Sequence, residues 1–255
     1  MLPLKQLLLL FFSPLCMAAQ SSSFDYGIFQ EGDERLPYRI LLPENYTPEK
    51  RYPLLVFLHG AGERGADNEL QLFHGSTLFL DASIRKNYPA VVVFPQCPQG
   101  KYWASVKSRE NPLSFEFFKR PKDNPVLGLV EALIEKIVSS YAINQDRLYV
   151  GGLSMGGMGT FEMVYRNPKK FAAAFAICGG ANPKIAKRIR RPVWRIDHGD
   201  ADEVVPYALS ERMAEALKKQ GAEVLFYRHP KVNHNSWENV FADQSFLPWL
   251  FSQTK

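Results

Sequence analysis

Seven short apolar segments recur along the chain, and most of them end at a glycine or a proline. The first segment alternates between apolar and polar residues, which suits an outer strand. The other six are mostly continuous apolar runs, which are typical of strands buried on both faces of a parallel sheet. The segments are PYRILLP (37–43), PLLVFLHG (53–60), AVVVFPQ (90–96), RLYVGG (147–152), FAAAFAICGG (171–180), PVWRIDHG (192–199) and EVLFYRHP (223–230).

Helical patterns lie between several of these segments. Residues 124–141 carry an apolar stripe with a period of 3.6, and 156–168 begin with glycines and end at Asn-Pro. Residues 207–221 end with lysines and a glycine, and 236–253 predict a terminal helix interrupted by Pro248. Strands that alternate with helices predict an α/β fold: one mostly parallel sheet with helices on both of its faces.

In such sheets the active site lies beyond the carboxyl ends of the strands. Several chemically capable side chains fall at those ends, and they make this edge of the sheet the first place to look for a function. They are His59, Cys97, Ser154, Cys178, and Asp200 or Asp202.

The first residues differ from the rest of the chain. Lys5 is followed by an apolar run and then by small residues at Ala18 and Ala19, the layout of a secretory signal peptide over 1–19. An uncleaved anchor and acylation at Cys16 are the alternatives. We expect a secreted or periplasmic protein whose mature domain spans 20–255, with no stable membrane insertion after cleavage.

Composition and charge add limits but no chemistry. A chain of 255 residues with 46% hydrophobic residues can bury one large core. The formal net charge is +5, but the basic residues are scattered, and the densest cluster, 184–191, suits a solvated helix face. We therefore expect no nucleic-acid partner.

The segment Gly152-Leu153-Ser154-Met155-Gly156 follows an apolar strand and opens a helical pattern. The sequence G-x-S-x-G in that context predicts a sharp turn that projects the serine hydroxyl at a helix N-terminus. Ser154 is thus the candidate nucleophile, and the Met155 N–H is a candidate oxyanion donor. An ordinary glycine-rich turn is the alternative.

A second turn follows the strand 53–58, in the sequence His59-Gly60-Ala61. A turn at this place in the chain suits the second N–H of an oxyanion hole, and Ala61 is the candidate donor. His59 precedes the nucleophile, so its place in chain order favours a role in holding the loop.

The ordered set of motifs resembles the α/β-hydrolase superfamily. It is closer to small secreted serine esterases of the phospholipase/carboxylesterase and polyhydroxybutyrate-depolymerase-like branch. The residues that carry the resemblance are LPYRILLPENY, LHGAGERG followed by DN, FPQCPQGKYW, GLSMGG, HGDADEVVP and NHNSW. It implies ester hydrolysis through an acyl-enzyme, with no cofactor and no metal.

The superfamily places its catalytic residues in the order Ser, Asp or Glu, His. Two histidines follow the acidic loop: His229 closes a strand, whereas His234 lies in a polar loop and matches the family's histidine. We therefore expect His234 to be the base. From the local sequence either Asp200 or Asp202 suits the acid, but the family pattern H-G-x-x-D falls on Asp202.

Residues 97–123 form a connection longer than a usual strand–helix loop and are expected to cross the active-site face. Its aromatic residues suggest either a pocket wall or a cluster that holds the loop down. Tyr102, Trp103 and the more distant Trp237 are the pocket candidates. No long apolar cap is evident, so a short-chain or aromatic acyl ester, free or linked to a carbohydrate, is the expected substrate.

Two further expectations concern modification and alternative functions. The predicted strand order separates Cys97 from Cys178 by ~14 Å, too far for a disulfide. The sequon at Asn45 matters only in a host that glycosylates. A serine peptidase of related fold and a non-catalytic binding protein are the competing functions.

Overall fold

The computed structural model describes residues 23–110, 113–121 and 123–255, so the leader predicted at 1–19 lies outside the described residues. The strands are β1 (Asp25–Glu31), β2 (Glu34–Leu41), β3 (Tyr52–Leu58), β4 (Val91–Pro95), β5 (Val106–Glu110), β6 (Leu113–Phe117), β7 (Ile143–Leu153), β8 (Ala173–Ile177), β9 (Val193–Gly199) and β10 (Val224–His229). In this part of the chain, eight of them form one sheet in the order β1-β2-β4-β3-β7-β8-β9-β10.

The sheet is mixed, with its antiparallel part confined to one side. Strand β2 pairs antiparallel with β1 and β4, and every pair from β4 to β10 is parallel. The parallel strands β3, β4 and β8 are buried along their whole length. Their continuous apolar sequences follow from this, because helices cover both faces.

The helices divide between the two faces. They are α1 (Ser76–Leu80), α2 (Ala82–Asn87), α3 (Pro125–Ser140), α4 (Met155–Arg166), α5 (Ala208–Lys219), α6 (Trp237–Ala242) and α7 (Phe246–Ser252). Helices α3, α4 and α5 bury their apolar residues in one core cluster, and α1, α6 and α7 in the other.

The predicted α/β architecture with a mostly parallel sheet is confirmed, and all seven predicted strands are present. Five of these elements were not predicted: the edge strand β1, the helices α1 and α2, and the strands β5 and β6, which form an antiparallel hairpin inside the long 97–123 connection. The terminal helix is interrupted at residues 243–245 and not at Pro248. Pro248 lies in the first turn of α7, where a proline removes no helical hydrogen bond.

The central strands β3 and β7 meet their helix through an unusually close backbone contact. A Cβ added to Gly152 would lie 2.3 Å from the Leu58 carbonyl oxygen, and one added to Gly156 would lie 1.9 Å from it. Glycine is therefore required on both sides of Ser154, since any side chain would push the β7–α4 turn away from the end of β3.

The strand order also separates the two cysteines of the described chain. Cys97 follows β4 and Cys178 follows β8, with β3 and β7 between them, and both thiols are free and buried. Among the described residues, no helix is long and apolar enough to cross a membrane.

We expect Gly156→Ala to lower the free energy of unfolding by about 3 kcal/mol or more, because its Cβ would overlap backbone that cannot rotate away. The matched control is Gly128→Ala within α3, where the added Cβ has its nearest neighbour at 3.8 Å. The free energy of unfolding of that variant should rise by about 0.5–1 kcal/mol. Urea denaturation of both variants measures the difference, and equal stabilities would contradict the close-contact argument.

Candidate active site

Ser154 occupies the tight turn between β7 and α4. Its backbone has φ 53° and ψ −116°, a left-handed region that a residue with a side chain rarely adopts. The Ser154 N–H donates to the Ile177 carbonyl (2.8 Å), and the Ser154 carbonyl accepts the Met158 N–H (3.0 Å). The turn is thus fixed on both sides, and the hydroxyl is held at the N-terminus of α4, where positive charge from the helix dipole is greatest.

His234 lies in the loop that follows β10. Its Nε2 atom is 2.9 Å from Ser154 Oγ, and its Nδ1 atom is 2.8 Å from Asp202 Oδ2. Because a carboxylate oxygen can only accept, Nδ1 carries the proton and Nε2 is free to accept from the serine hydroxyl. The structure therefore brings the three residues predicted for the triad into one hydrogen-bonded chain.

The loop that carries His234 is fastened to the end of β9. A Cβ added to Gly199 would lie 2.2 Å from the Val232 carbonyl oxygen, so the two segments are in backbone contact there. The same carbonyl accepts the Ala201 N–H at 3.1 Å. Asn233 adds a side-chain tie, because its Oδ1 accepts the N–H groups of Glu203 (3.1 Å) and His234 (2.7 Å).

Asp202 has a fully buried side chain in which both oxygens accept two hydrogen bonds. Oδ1 accepts the N–H groups of Val204 and Val205, both at 2.8 Å, and Oδ2 accepts from His234 and from His198, the latter at 3.0 Å. Burial alone would raise the pKa of the carboxyl, but the hydrogen bonds from His198 and His234 outweigh it and hold the pKa well below its usual range. Asp202 is therefore ionised at neutral pH.

Asp200, the alternative acid, points away from this chain. Its Oδ2 accepts from Arg228 Nε (2.8 Å), and its Oδ1 accepts the Lys231 N–H (2.6 Å). These bonds hold the turn after β9 against the turn after β10. Asp200 thus has contacts that shape the loop, and among the described residues it makes no hydrogen bond to His234.

The two candidate oxyanion donors lie at helix starts. Met155 is the first residue of α4, and Ala61 is the first residue of a short 3₁₀ helix, Ala61–Glu63. The N–H groups at a helix start have no partner within the helix, which leaves them available to an anion. Both turns flank Ser154, because β3 and β7 are neighbours in the sheet.

His59 hydrogen-bonds to backbone groups and is not part of the hydrogen-bonded chain from Ser154 to Asp202. Its Nδ1 donates to the Gly60 carbonyl (2.6 Å), and its Nε2 accepts the Cys97 N–H (2.9 Å). Burial lowers the pKa of His59 from 6.5 to about 4, so the ring is neutral at pH 7. The imidazole therefore links the loop after β3 to the loop after β4.

The structure corrects one of the pocket candidates. Trp103 is completely buried, its indole N–H donates to the His59 carbonyl (3.1 Å), and its Cβ packs against Gly159. Trp103 therefore supports the loop that follows β3 and cannot line an open pocket. Trp237 is half-buried and packs edge-on against the His234 ring, with the ring centroids 5.4 Å apart, so it borders the reacting atoms.

Tyr102 and the hairpin β5–β6 pack near the loop that carries Asp202. Tyr102 is half-buried and contacts the main core, and Phe115 and Phe117 stack with centroids 6.4 Å apart. Together they pack on a small apolar cluster that includes Val205, three residues after Asp202. The hairpin is therefore anchored on the protein, as one interpretation of the long connection expects, and a role as a pocket wall stays a prediction.

A metal centre is a poor fit to this site. Cys178, Asp202 and His234 offer ligand atoms within 4.8 Å of one another. However, burial raises the pKa of the Cys178 thiol, which therefore stays protonated, and the thiolate is the form that binds metals. The Asp202 and His234 atoms are already occupied by hydrogen bonds to each other.

Two residues of the site were not predicted from the sequence. Asn233 was overlooked because an asparagine in a polar loop gives no specific signal. His198 was overlooked although it stands four residues before Asp202 in HGDAD, a spacing that lets a side chain reach back across the turn. Its contact with Asp202 Oδ2 makes it a fourth member of the hydrogen-bonded chain.

Comparison with known proteins agrees with this architecture. A family described as phospholipase/carboxylesterase matches residues 46–247. Acyl-protein thioesterase 1 of Neurospora crassa is 33% identical over 217 residues, which cover 76% of this chain and 84% of that protein. Lysophospholipase-like protein 1 of Mus musculus is 26% identical over 196 residues, covering 71% of this chain and 79% of the other.

Solved structures give the same picture. A thermostable esterase superposes with a TM-score of 0.83 at 33% identity, over 92% of this chain and 64% of that one. The chain therefore spans less than two thirds of that esterase. A ferulic acid esterase from Anaeromyces mucronatus superposes with a TM-score of 0.65 at 17% identity, over 91% of this chain and 90% of that one, which reflects the fold alone.

The sheet order and the serine turn define an α/β hydrolase of the esterase and thioesterase type. Within that class, the chain belongs to the phospholipase/carboxylesterase family. The expected resemblance and the expectation of an ester-hydrolase enzyme are both confirmed.

The buried His59 should make stability depend on pH. Its pKa is about 4 in the folded protein and 6.5 ordinarily, so the unfolded chain binds more protons below pH 6.5. The stability is fully present above pH 6.5 and is lost as the pH falls towards 4, with about 2 kcal/mol lost between pH 7 and pH 5. Urea denaturation at both pH values measures the loss. The free energy of unfolding of His59→Gln, whose side chain cannot titrate, should fall less between the two pH values. An equal fall in the variant and the wild type would contradict the lowered pKa of His59.

Proposed function

We propose that the protein is a serine esterase that acts through an acyl-enzyme, with Ser154 as nucleophile, His234 as base and Asp202 as acid. The observation that carries this proposal is the unbroken hydrogen-bond chain from Ser154 Oγ to His234 Nε2 (2.9 Å) and from His234 Nδ1 to Asp202 Oδ2 (2.8 Å). This is the geometry that a nucleophile, its base and an orienting carboxylate require.

The proposed reaction has two halves. Ser154 Oγ attacks the ester carbonyl while its proton moves to His234 Nε2, and Asp202 stabilises the imidazolium that forms. The N–H groups of Ala61 and Met155 hold the negative oxygen, and each such donor lowers the barrier by about 3 kcal/mol. His234 protonates the leaving alcohol, and water then attacks the acyl-enzyme by the same route to release the acid.

The surroundings of the site support a short-chain or aromatic acyl ester, free or attached to a carbohydrate. Trp237 packs against His234, and the hairpin with Phe115 and Phe117 packs on the apolar cluster that includes Val205. Val204, which follows the acid, is 42% exposed and adds apolar surface at the rim. Relatives named as acyl-protein thioesterases make a thioester the second candidate substrate.

The remaining expectations belong to the same proposal. The apolar leader pattern supports export to a secreted or periplasmic location, and the proposed partner is a small ester and not a nucleic acid. A serine peptidase is less well supported, because the relative that is 33% identical is named as a thioesterase and the solved structure at 33% identity as an esterase. A non-catalytic binding protein is also less well supported, because such a role does not require the hydrogen-bonded chain.

The first test is a substrate panel with the wild-type protein and Ser154→Ala. We expect hydrolysis of p-nitrophenyl acetate or butyrate, or of a feruloyl ester, and little hydrolysis of octanoate or of a peptide anilide. An acyl thioester in the same panel separates the second candidate. Ser154→Ala should retain less than about one part in 10³ of kcat. Full activity in that variant, or no ester hydrolysis by the wild type, would refute the proposal.

The second test separates the two aspartates. Asp202→Asn should lower kcat about 10³- to 10⁴-fold with little change in KM, because the amide favours the wrong imidazole tautomer. Asp200→Asn should change kcat less than about threefold and mainly lower Tm, because it weakens the bond to Arg228. Steady-state kinetics and thermal melts of both variants give the answer, and the reverse pattern would exchange the two roles.

A further inference from the structure

His198 is a second histidine on the acid of the proposed triad. It lies near the end of β9, and its side chain is completely buried. Its Nε2 atom is 3.0 Å from Asp202 Oδ2 and 2.9 Å from the Val205 carbonyl oxygen. Its Nδ1 atom is 2.7 Å from Ser210 Oγ on α5, and that hydroxyl lies 2.8 Å from the Gly179 carbonyl oxygen.

The protonation of His198 Nε2 follows from its neighbours. A carboxylate oxygen and a carbonyl oxygen both face this atom, and neither can donate a hydrogen. Nε2 must therefore carry the proton and share it between Asp202 and Val205. His234 binds the same Oδ2 atom through Nδ1–H. The two histidines thus donate from opposite ring nitrogens to one oxygen.

This arrangement has two consequences for the base. Oδ2 is held from two directions, and Oδ1 is held by two backbone N–H groups, so the carboxylate cannot rotate away from His234. In addition, the negative charge on Oδ2 is divided between two donors. Asp202 therefore attracts the proton of His234 less strongly than it would with a single partner.

We propose that His198 is a positioning residue that fixes the orientation of Asp202 and reduces the basicity of His234. The inference rests on the proposed function, since it concerns the base of that reaction. His198 does not reach the nucleophile: it acts through Asp202, and the side chain of Ser210 and the Val205 carbonyl hold it in place.

Other charged or titratable groups near the two imidazoles are engaged elsewhere or uncharged. Burial raises the pKa of Cys178, and Arg228, which is in register with His198 on β10, is bound to Asp200. The Tyr207 ring packs edge-on against His198 with centroids 5.8 Å apart. Further groups are Asp197, bound to Arg195 and His229, and His74, which stacks on Trp237 and faces Glu63. Glu203 is held by the side chain of Asn233.

The kinetic test replaces His198 with leucine and follows kcat/KM against pH. We expect His198→Leu to lower kcat about 10- to 100-fold with little change in KM, because Asp202 loses part of its alignment. The acidic limb should move upward by about 0.5 pH unit or more, because the whole charge of Oδ2 then acts on His234. His198→Gln, which keeps an N–H donor near the Nε2 position, should retain most of the wild-type kcat and most of the wild-type position of the acidic limb.

The matched control is His229→Leu. His229 is also a histidine that hydrogen-bonds an aspartate, with Nε2 3.0 Å from Asp197 Oδ1, on the strand next to β9. It has no contact with Asp202 among the described residues. The control should lower Tm without moving the acidic limb. An unmoved limb in His198→Leu, an equal movement in His229→Leu, or a glutamine variant that behaves like leucine would each overturn the proposal.

A measurement without substrate keeps the inference separate from the proposed function. Nitrogen-15 spectra of histidine-labelled wild-type protein report which ring nitrogen carries the proton. We expect a proton on Nε2 in His198 and on Nδ1 in His234. A bare Nε2 in His198 would overturn the inference even if esters are hydrolysed. Absence of ester hydrolysis with the expected tautomers would refute the proposed function and leave the hydrogen-bond assignment standing.

Discussion

The close contact between the end of β3 and the turn after β7 is the constraint on which the site depends. Gly152 and Gly156 let the backbone pass against the Leu58 carbonyl oxygen, and no other residue type fits there. Ser154, between these glycines, has a positive φ, and α4 begins directly after it, while the loop at Ala61 follows the end of β3. The candidate nucleophile and both candidate oxyanion donors therefore lie around one backbone approach.

The candidate acid and base are held by a different kind of interaction. They lie on the loops after β9 and β10, and these loops are joined by backbone contact at Gly199 and by the side chain of Asn233. Hydrogen bonding then orders the side chains, because the buried Asp202 carboxylate accepts four donors. The position of Ser154 thus depends on close backbone packing, whereas the positions of Asp202 and His234 depend on hydrogen bonds.

Much of this could be predicted from the sequence, for identifiable reasons. Buried parallel strands need continuous apolar runs, and the serine turn needs its glycines, so both leave direct signals. The hairpin β5–β6 and strand β1 leave weaker signals, because exposed strands tolerate polar residues. His198 could not be assigned from its sequence position, since its role depends on which way a side chain points at the end of β9. Trp103 was misplaced for a related reason: aromatic residues in a long connection look alike whether they face solvent or the core.

The strands that carry the site differ in their resistance to local unfolding. The turn with Ser154 follows β7, a central strand whose end is buried, whereas the loop with His234 follows β10, a half-exposed edge strand with a neighbour on one side. Edge strands open locally at a lower free energy than central ones. Fraying of this edge would separate His234 from Ser154 while the turn after β7 stays folded, so the hydrogen-bonded chain can open without unfolding the core.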